Sequence, residues 1–119
     1  MVTHILDSNI VIDILRGYQP AVDWLSTQGI LGITRFVYLE LLDGVENNFD
    51  KNRVHRLLSN FELVPVEVVD VEWAQQRLNE LKLSHSPDAF DCLIAATCHR
   101  LQLSLYTRNS KHMLPLLGS

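Results

Sequence analysis

Asp7, Glu40 and Asp91 each interrupt an apolar run. Asp7 follows Val2-Thr3-His4-Ile5-Leu6, Glu40 lies within Phe36-Val37-Tyr38-Leu39-Glu40-Leu41-Leu42, and Asp91 lies within Ala89-Phe90-Asp91-Cys92-Leu93-Ile94-Ala95-Ala96. Burying an ionised carboxylate without a partner is costly, and gathering several adds like-charge repulsion, so a fold that collects them normally supplies a cation. For Asp and Glu oxygens the fitting ions are Mg²⁺ and Mn²⁺. Each acid also has a structural reading. Asp7 can cap a helix begun by Ser8, Glu40 can pair with Arg35 or face solvent, and Asp91 can complement a helix dipole, although Asp88 is better placed for that. One shared site accounts for all three with a single cause.

The elements that would position these acids read as α/β. Short apolar strands at Val2 to Leu6, Ile30 to Ile33, Leu63 to Val66 and Leu103 to Thr107 alternate with longer helical patterns. Ser8 caps a helix over Asn9 to Arg16 that Gly17 closes, and Pro20 opens another running to about Gln28. Thr34 caps the helix that carries Glu40. Val54, Leu57, Leu58 and Phe61 recur at helical spacing and mark a helix over Lys51 to Asn60. Asp70 caps a helix with Trp73, Ala74, Leu78 and Leu81 inward, and Ser86 with Pro87 opens the helix that carries Asp91. The last strand leads into a polar turn, Arg108-Asn109-Ser110. In parallel sheets ligands bind beyond the carboxyl ends of the strands, where both Asp7 and that turn fall.

Size and composition bound the alternatives. The 119 residues make one domain, 1–119, with 47% hydrophobic and 20% charged residues, an ordinary globular balance. No apolar run reaches the ~18 residues of a membrane span and no signal core opens the chain, so a cytoplasmic location without membrane association is expected. Cys92 and Cys98 are six helical residues apart, about 9 Å at ~1.5 Å per residue, and read as reduced core thiols. The formal charge of −4 argues against a broadly basic nucleic-acid binder. If the acids hold cations, however, Arg16, Arg35, Arg53, Arg56, Arg100, Arg108 and Lys111 are left to form a phosphate-facing rim. The histidines show no zinc spacing and read as structural or surface residues. There is no Gly-rich loop with Lys for nucleotide phosphates, and Asp7-Ser8-Asn9 lacks the second acid of an aspartyl-phosphate phosphatase.

Taken in order, Leu6-Asp7-Ser8-Asn9 with Ile12-Asp13, Glu40-Leu41 with Gly44, Asp91-Cys92-Leu93-Ile94-Ala95-Ala96 and Thr107-Arg108-Asn109 resemble the PIN-domain family of metal-dependent nucleases, and more closely its VapC-like ribonuclease toxins. The resemblance implies a parallel sheet of about four to five short strands flanked by helices. It implies Asp7 and Asp91 as the principal metal ligands, with Glu40 ligating directly or through water, around Mg²⁺ or Mn²⁺. The activity implied is endoribonuclease hydrolysis of RNA phosphodiester bonds. The partners implied are a small DNA-binding antitoxin, whose segment would lay an Arg or Lys across the acidic crevice, and a second copy in a homodimer. Many members carry a further Asp where Asn109 stands, so Asp88 and Asn109 are the candidates to complete the site. Ser8 and Thr107 are supporting candidates, Arg108 and Lys111 candidate substrate contacts, and Asp13 a structural residue. The alternative is a catalytically inactive module that binds nucleic acid or regulates through the same scaffold.

Overall fold

The structure, a computed structural model, describes residues 1–117. Its centre is a four-stranded, wholly parallel sheet in the order β3-β2-β1-β4, formed by β1 (His4–Leu6), β2 (Leu31–Ile33), β3 (Glu62–Leu63) and β4 (Ser104–Tyr106). The chain therefore starts in the middle of the sheet, and its last strand lies beside its first. Seven helices connect and flank the strands: α1 (Ser8–Leu15), α2 (Gln19–Leu25), α3 (Arg35–Asp43), α4 (Asn48–Leu58), α5 (Val68–His85), α6 (Ala89–Leu101) and α7 (Ser110–Leu117).

Alternation along β1 sends Ile5 and Leu6 to opposite faces of the sheet. Leu6 joins Val11, Ile33, Val37, Leu58 and Ile94 in a core beneath α1, α3 and α4, while Ile5 packs with Val64 and Cys98. A third cluster, Ala74, Cys92, Ala95, Ala96, Met113 and Leu116, joins α5, α6 and α7. The small residues of α6 let α5 approach it closely. Cys92 and Cys98 are both buried and reduced.

Gly32 in β2 has a packing reason. A Cβ there would lie 2.6 Å from Val64 Cγ2 and 2.9 Å from Val2 Cγ1, and valine is stiff about χ1. Gly32→Ala is expected to lower stability by about 1–3 kcal/mol through overpacking, read as an earlier urea midpoint with an unchanged slope. A midpoint at the parent value would mean that the two valines yield freely.

Several boundaries differ from the sequence expectation, each for a local reason. Asp7, rather than Ser8, caps α1, accepting from the Ser8 amide at 2.8 Å. α2 ends at Leu25 because Ser26 and Thr27 turn their hydroxyls back onto the carbonyls of Asp23 and Trp24. α4 starts three residues early, capped by Asn47 Oδ1 on the Asp50 amide at 2.8 Å. β3 is only Glu62–Leu63; Val64 still donates to Ile33, but Pro65 has no N–H with which to continue the ladder.

Asp70 is not the cap of α5. Glu67 is, and Asp70 closes a capping box by accepting from the Glu67 amide at 2.9 Å. Asp70 is also fully buried and held by Arg100 Nε at 2.8 Å and Thr97 Oγ1 at 3.3 Å, which locks α5 to α6. Nor does Ser86 open α6: it closes α5 in the left-handed region at φ 50°, and Asp88 caps α6. The expected Arg108-Asn109-Ser110 turn after β4 runs on into α7, an unexpected helix that carries Pro115 within it. Arg77 reaches across from α5 and donates to the Pro115 and Leu116 carbonyls at 2.6 and 3.5 Å, holding this helix end in place.

Candidate active site

Asp7 leaves the carboxyl end of β1 almost wholly buried, with its carboxylate tied to the end of β4. Thr107 Oγ1 donates to Oδ2 at 2.6 Å and Asn9 Nδ2 to the same oxygen at 3.4 Å. The Thr107 hydroxyl in turn accepts from the Asn109 amide at 2.8 Å, and Asn9 Oδ1 accepts from the Arg108 amide at 3.1 Å. The turn after β4 is thus folded around Asp7 by hydrogen bonds from both of its sides. Glu40, half-buried on α3, accepts from Ser8 Oγ at 2.7 Å rather than pairing with Arg35. Asp91 is buried in the first turn of α6, its amide bonded to Asp88 Oδ1 at 2.8 Å, and Asn109 Nδ2 donates to Asp91 Oδ2 at 3.5 Å.

The acids feel one another's charge. Burial pushes the Asp91 carboxyl up to about 6, and the negative charges of Asp88 and Asp7 add to that shift against a smaller opposing effect of His112. Burial also raises Asp7; Thr107 and the Ser8 amide oppose it, and the Asp88 charge reinforces it. Glu40 is raised by burial, with Ser8 opposing and the charges of Asp7, Asp88 and Asp91 adding. Asp7, Glu40, Asp88 and Asp91 therefore form one electrostatic unit, drawn from β1, α3 and the start of α6. Asp88 caps α6 and adds its charge to the site.

Among the described residues, no three of the acids, histidines or cysteines stand close enough to hold an ion as they are. The donor set nevertheless fits a hard divalent cation: every donor is a carboxylate oxygen, and repulsion among them is what a cation would relieve. Asp70 gives the contrast. Burial opposes its ionisation too, but the Arg100 hydrogen bond and charge, with the Glu67 amide and Thr97, hold its carboxyl below the ordinary range. Asp70 has a guanidinium bonded to it, whereas among the described residues the basic group beside the site acids is the His112 ring, 3.7 Å from Asp91 Oδ2.

The expected basic rim is mostly committed elsewhere. Arg108 Nε pairs with Asp13 Oδ2 at 2.6 Å, which gives Asp13 its structural role and turns Arg108 toward α1. Arg53 donates to the Leu15 carbonyl, and Arg100 is spent on Asp70 and the Pro65 carbonyl. Lys111 is exposed on α7, as are Arg16, Arg35 and Arg56 elsewhere. The sequence reading overlooked Asn9 and dismissed His112. His112 Nδ1 lies 3.7 Å from Asp91 Oδ2 and 3.2 Å from Asn109 Nδ2. Its spacing of three from Asn109 would have flagged it, had the segment been read as a helix.

Comparison with known proteins gives one consistent result. The family model described as PIN domain matches residues 4–113. The chain is 33% identical over 112 residues to "Ribonuclease VapC10" of Mycobacterium tuberculosis, covering 91% of this chain and 84% of that protein. Among solved structures it is similar to a chain of "Toxin-antitoxin complex from Klebsiella pneumoniae", at TM-score 0.72 and 24% identity over 92% of this chain and 89% of that one. It is also similar to a chain of "Structure of FitAB bound to IR36 DNA fragment", at TM-score 0.79 and 18% identity over 96% and 90%. At these identities the two structures speak for the fold. The sequence relative speaks for the family.

Proposed function

Because this chain belongs to the PIN-domain family, we propose that it is an endoribonuclease that hydrolyses RNA phosphodiester bonds using Mg²⁺ or Mn²⁺ held by Asp7, Asp91 and Glu40. The observation that carries the reading is the set of mutually repelling, buried or half-buried carboxylates, which among the described residues no Arg or Lys pairs with and only the His112 ring approaches. The ribonuclease relative, matched along almost the whole chain, supplies the substrate class.

A divalent cation held by Asp7, Asp91 and Glu40 would supply Lewis-acid polarisation of the phosphate and lower the pKa of water. The protein's own groups do the positioning. Thr107 and the Ser8 amide fix the two oxygens of Asp7, Ser8 Oγ holds Glu40, and Asn109 steadies Asp91. Ser8 Oγ donates a hydrogen bond to Glu40 and acts as an orienting group, and the attacking group in this reading is water. Lys111, exposed on α7, meets the substrate's backbone, while Arg108 stays with Asp13.

In the cell the protein acts as the toxin of a toxin–antitoxin pair. It forms a homodimer and is restrained by a small DNA-binding antitoxin that places a cationic side chain against the carboxylates. The Klebsiella structure of this fold, by its own description a toxin–antitoxin complex, supports that reading.

The test is cleavage of a panel of structured RNAs with Mg²⁺, with Mn²⁺ and in EDTA. Cleavage that needs the ion is expected, and Glu40→Gln should reduce it by ~10- to 100-fold, the usual effect of disturbing a group that orients or completes a metal shell. Equal cleavage in EDTA would remove the metal from the mechanism. RNA binding without cleavage under any of these conditions would favour the inactive module.

A further inference from the structure

The aromatic residues beside the acids take no part in the chemistry above. Phe36 and Glu40 are four residues apart on α3, so they share a face of that helix with Phe36 one turn closer to its start. Phe90 precedes Asp91 on α6, and its ring meets that of Phe36 edge to face, with centroids 6.1 Å apart and planes at 69°. Phe90 is 40% exposed, in a helix turn that otherwise carries Asp88, Ala89 and Asp91. The aromatic pair therefore lies along the face of α3 that carries Glu40, one turn toward its start, with the Phe90 ring partly open to solvent.

We propose that Phe36 and Phe90 form a stacking ledge for one unpaired base of the RNA, next to the phosphate to be cut. The inference rests on the ribonuclease reading. A strand whose phosphate lies at the carboxylates must carry its neighbouring bases past the adjoining wall, and a base presents an apolar face that a flat, partly exposed ring complements. The edge-to-face contact with Phe36 fixes the orientation of Phe90 before RNA arrives. Bases inside a duplex have both faces already stacked, so the ledge admits only splayed-out nucleotides and selects loops or single strands. Every base has such a face, so the ledge discriminates strandedness more than sequence.

A second copy of the chain is the competing occupant, since Leu39 is also exposed on α3. On the nuclease reading the ledge adjoins the acids that take the substrate phosphate, which makes a base of that strand its occupant, and a dimer contact is what the light-scattering arm below detects.

The experiment uses a single-stranded RNA dodecamer carrying 2-aminopurine at each position in turn. It is bound to the cleavage-silenced Asp7→Asn protein in Mg²⁺, beside steady-state cleavage of the unlabelled RNA by the parent protein. Fluorescence should be quenched at one position next to the cleaved bond. Phe90→Leu and Phe36→Leu should abolish that quench and raise KM about tenfold with kcat little changed. Phe90→Tyr should retain both. The exposure of Phe90 makes its Leu variant safe for folding, which an unchanged melting midpoint would verify. Normal KM and quenching in both Leu variants, with cleavage by the parent intact, would overturn the ledge and leave the nuclease standing. A Phe90→Leu variant that binds RNA normally but turns a dimer into a monomer by light scattering would overturn it in favour of a subunit contact. A parent that neither binds nor cleaves the RNA would end the nuclease reading and the ledge together.

Discussion

Asp91→Asn is expected to cleave RNA ~10³-fold more slowly than the parent at saturating Mg²⁺, a barrier increase of about 4 kcal/mol, with Asp7→Asn impaired to the same degree. Each substitution removes one ligand charge at nearly constant volume, so circular dichroism should show the parent fold. The two variants should differ in stability. Asp91 receives only a long hydrogen bond from Asn109 and carries the most raised pKa of the site acids, so in EDTA its amide variant should melt higher, by ~5 °C. Asp7 is a helix cap as well as a site acid, which makes the stability of Asp7→Asn close to that of the parent. Its Oδ1 can still cap Ser8, but the new amide would face Asn9 Nδ2, a donor against a donor. Parent-rate cleavage by either variant under matched metal conditions would refute the assignment of the acids.

Metal-free protein should lose stability as pH rises through the range where the site acids ionise, and a divalent cation should abolish that loss. For Asp91 the folded value, about 6, lies above the ordinary 3.8, so the native state holds its proton more tightly than the unfolded chain does. Its contribution is fully present below the unfolded value and is lost as pH climbs through about 6. The cost at neutral pH is at most about 3 kcal/mol, from ~1.4 kcal/mol per pH unit. Asp7 and Glu40, also raised, act in the same direction. Asp70 acts oppositely: its lowered value stabilises the fold above 3.8, and that stability is lost as pH falls through the folded value. In EDTA, stability should therefore peak in mild acid. At neutral pH, Mn²⁺ at a hundredfold excess over its dissociation constant should add about 2.7 kcal/mol by binding only the native state. Urea unfolding from pH 4 to 8, with and without Mn²⁺, decides it. Curves that coincide at neutral pH would mean that the carboxylates do not bind an ion.

The sequence made the acids conspicuous, because a charge inside an apolar run is an anomaly visible without coordinates. It also placed four parallel strands and most of the helices, since alternation and helical spacing are local properties. It misplaced caps because the competitors were adjacent: Asp7 beside Ser8, Glu67 ahead of Asp70, and Asp88 after Ser86 all carry capping oxygens, and backbone geometry chose among them. It stopped at the turn before α7, whose end is held by the Arg77 guanidinium from 38 residues away in the chain.

What the chain determined alone is the inventory, three acids set in apolar runs of an α/β order, because burial cost and periodicity are written residue by residue. What tertiary structure decided is how charge is shared. Asp70 and Asp91 are both buried acids in the first turn of a helix, yet Arg100 reaches Asp70 and silences it, while Asp91 faces Asp7 and Asp88. The same distribution took Arg53 and Arg100 out of the expected rim, gave Arg108 to Asp13 and brought His112 to Asp91. Coulomb energy depends on distance in space, and separations of ten to a hundred residues along the chain say nothing of that distance until the sheet sets β4 beside β1.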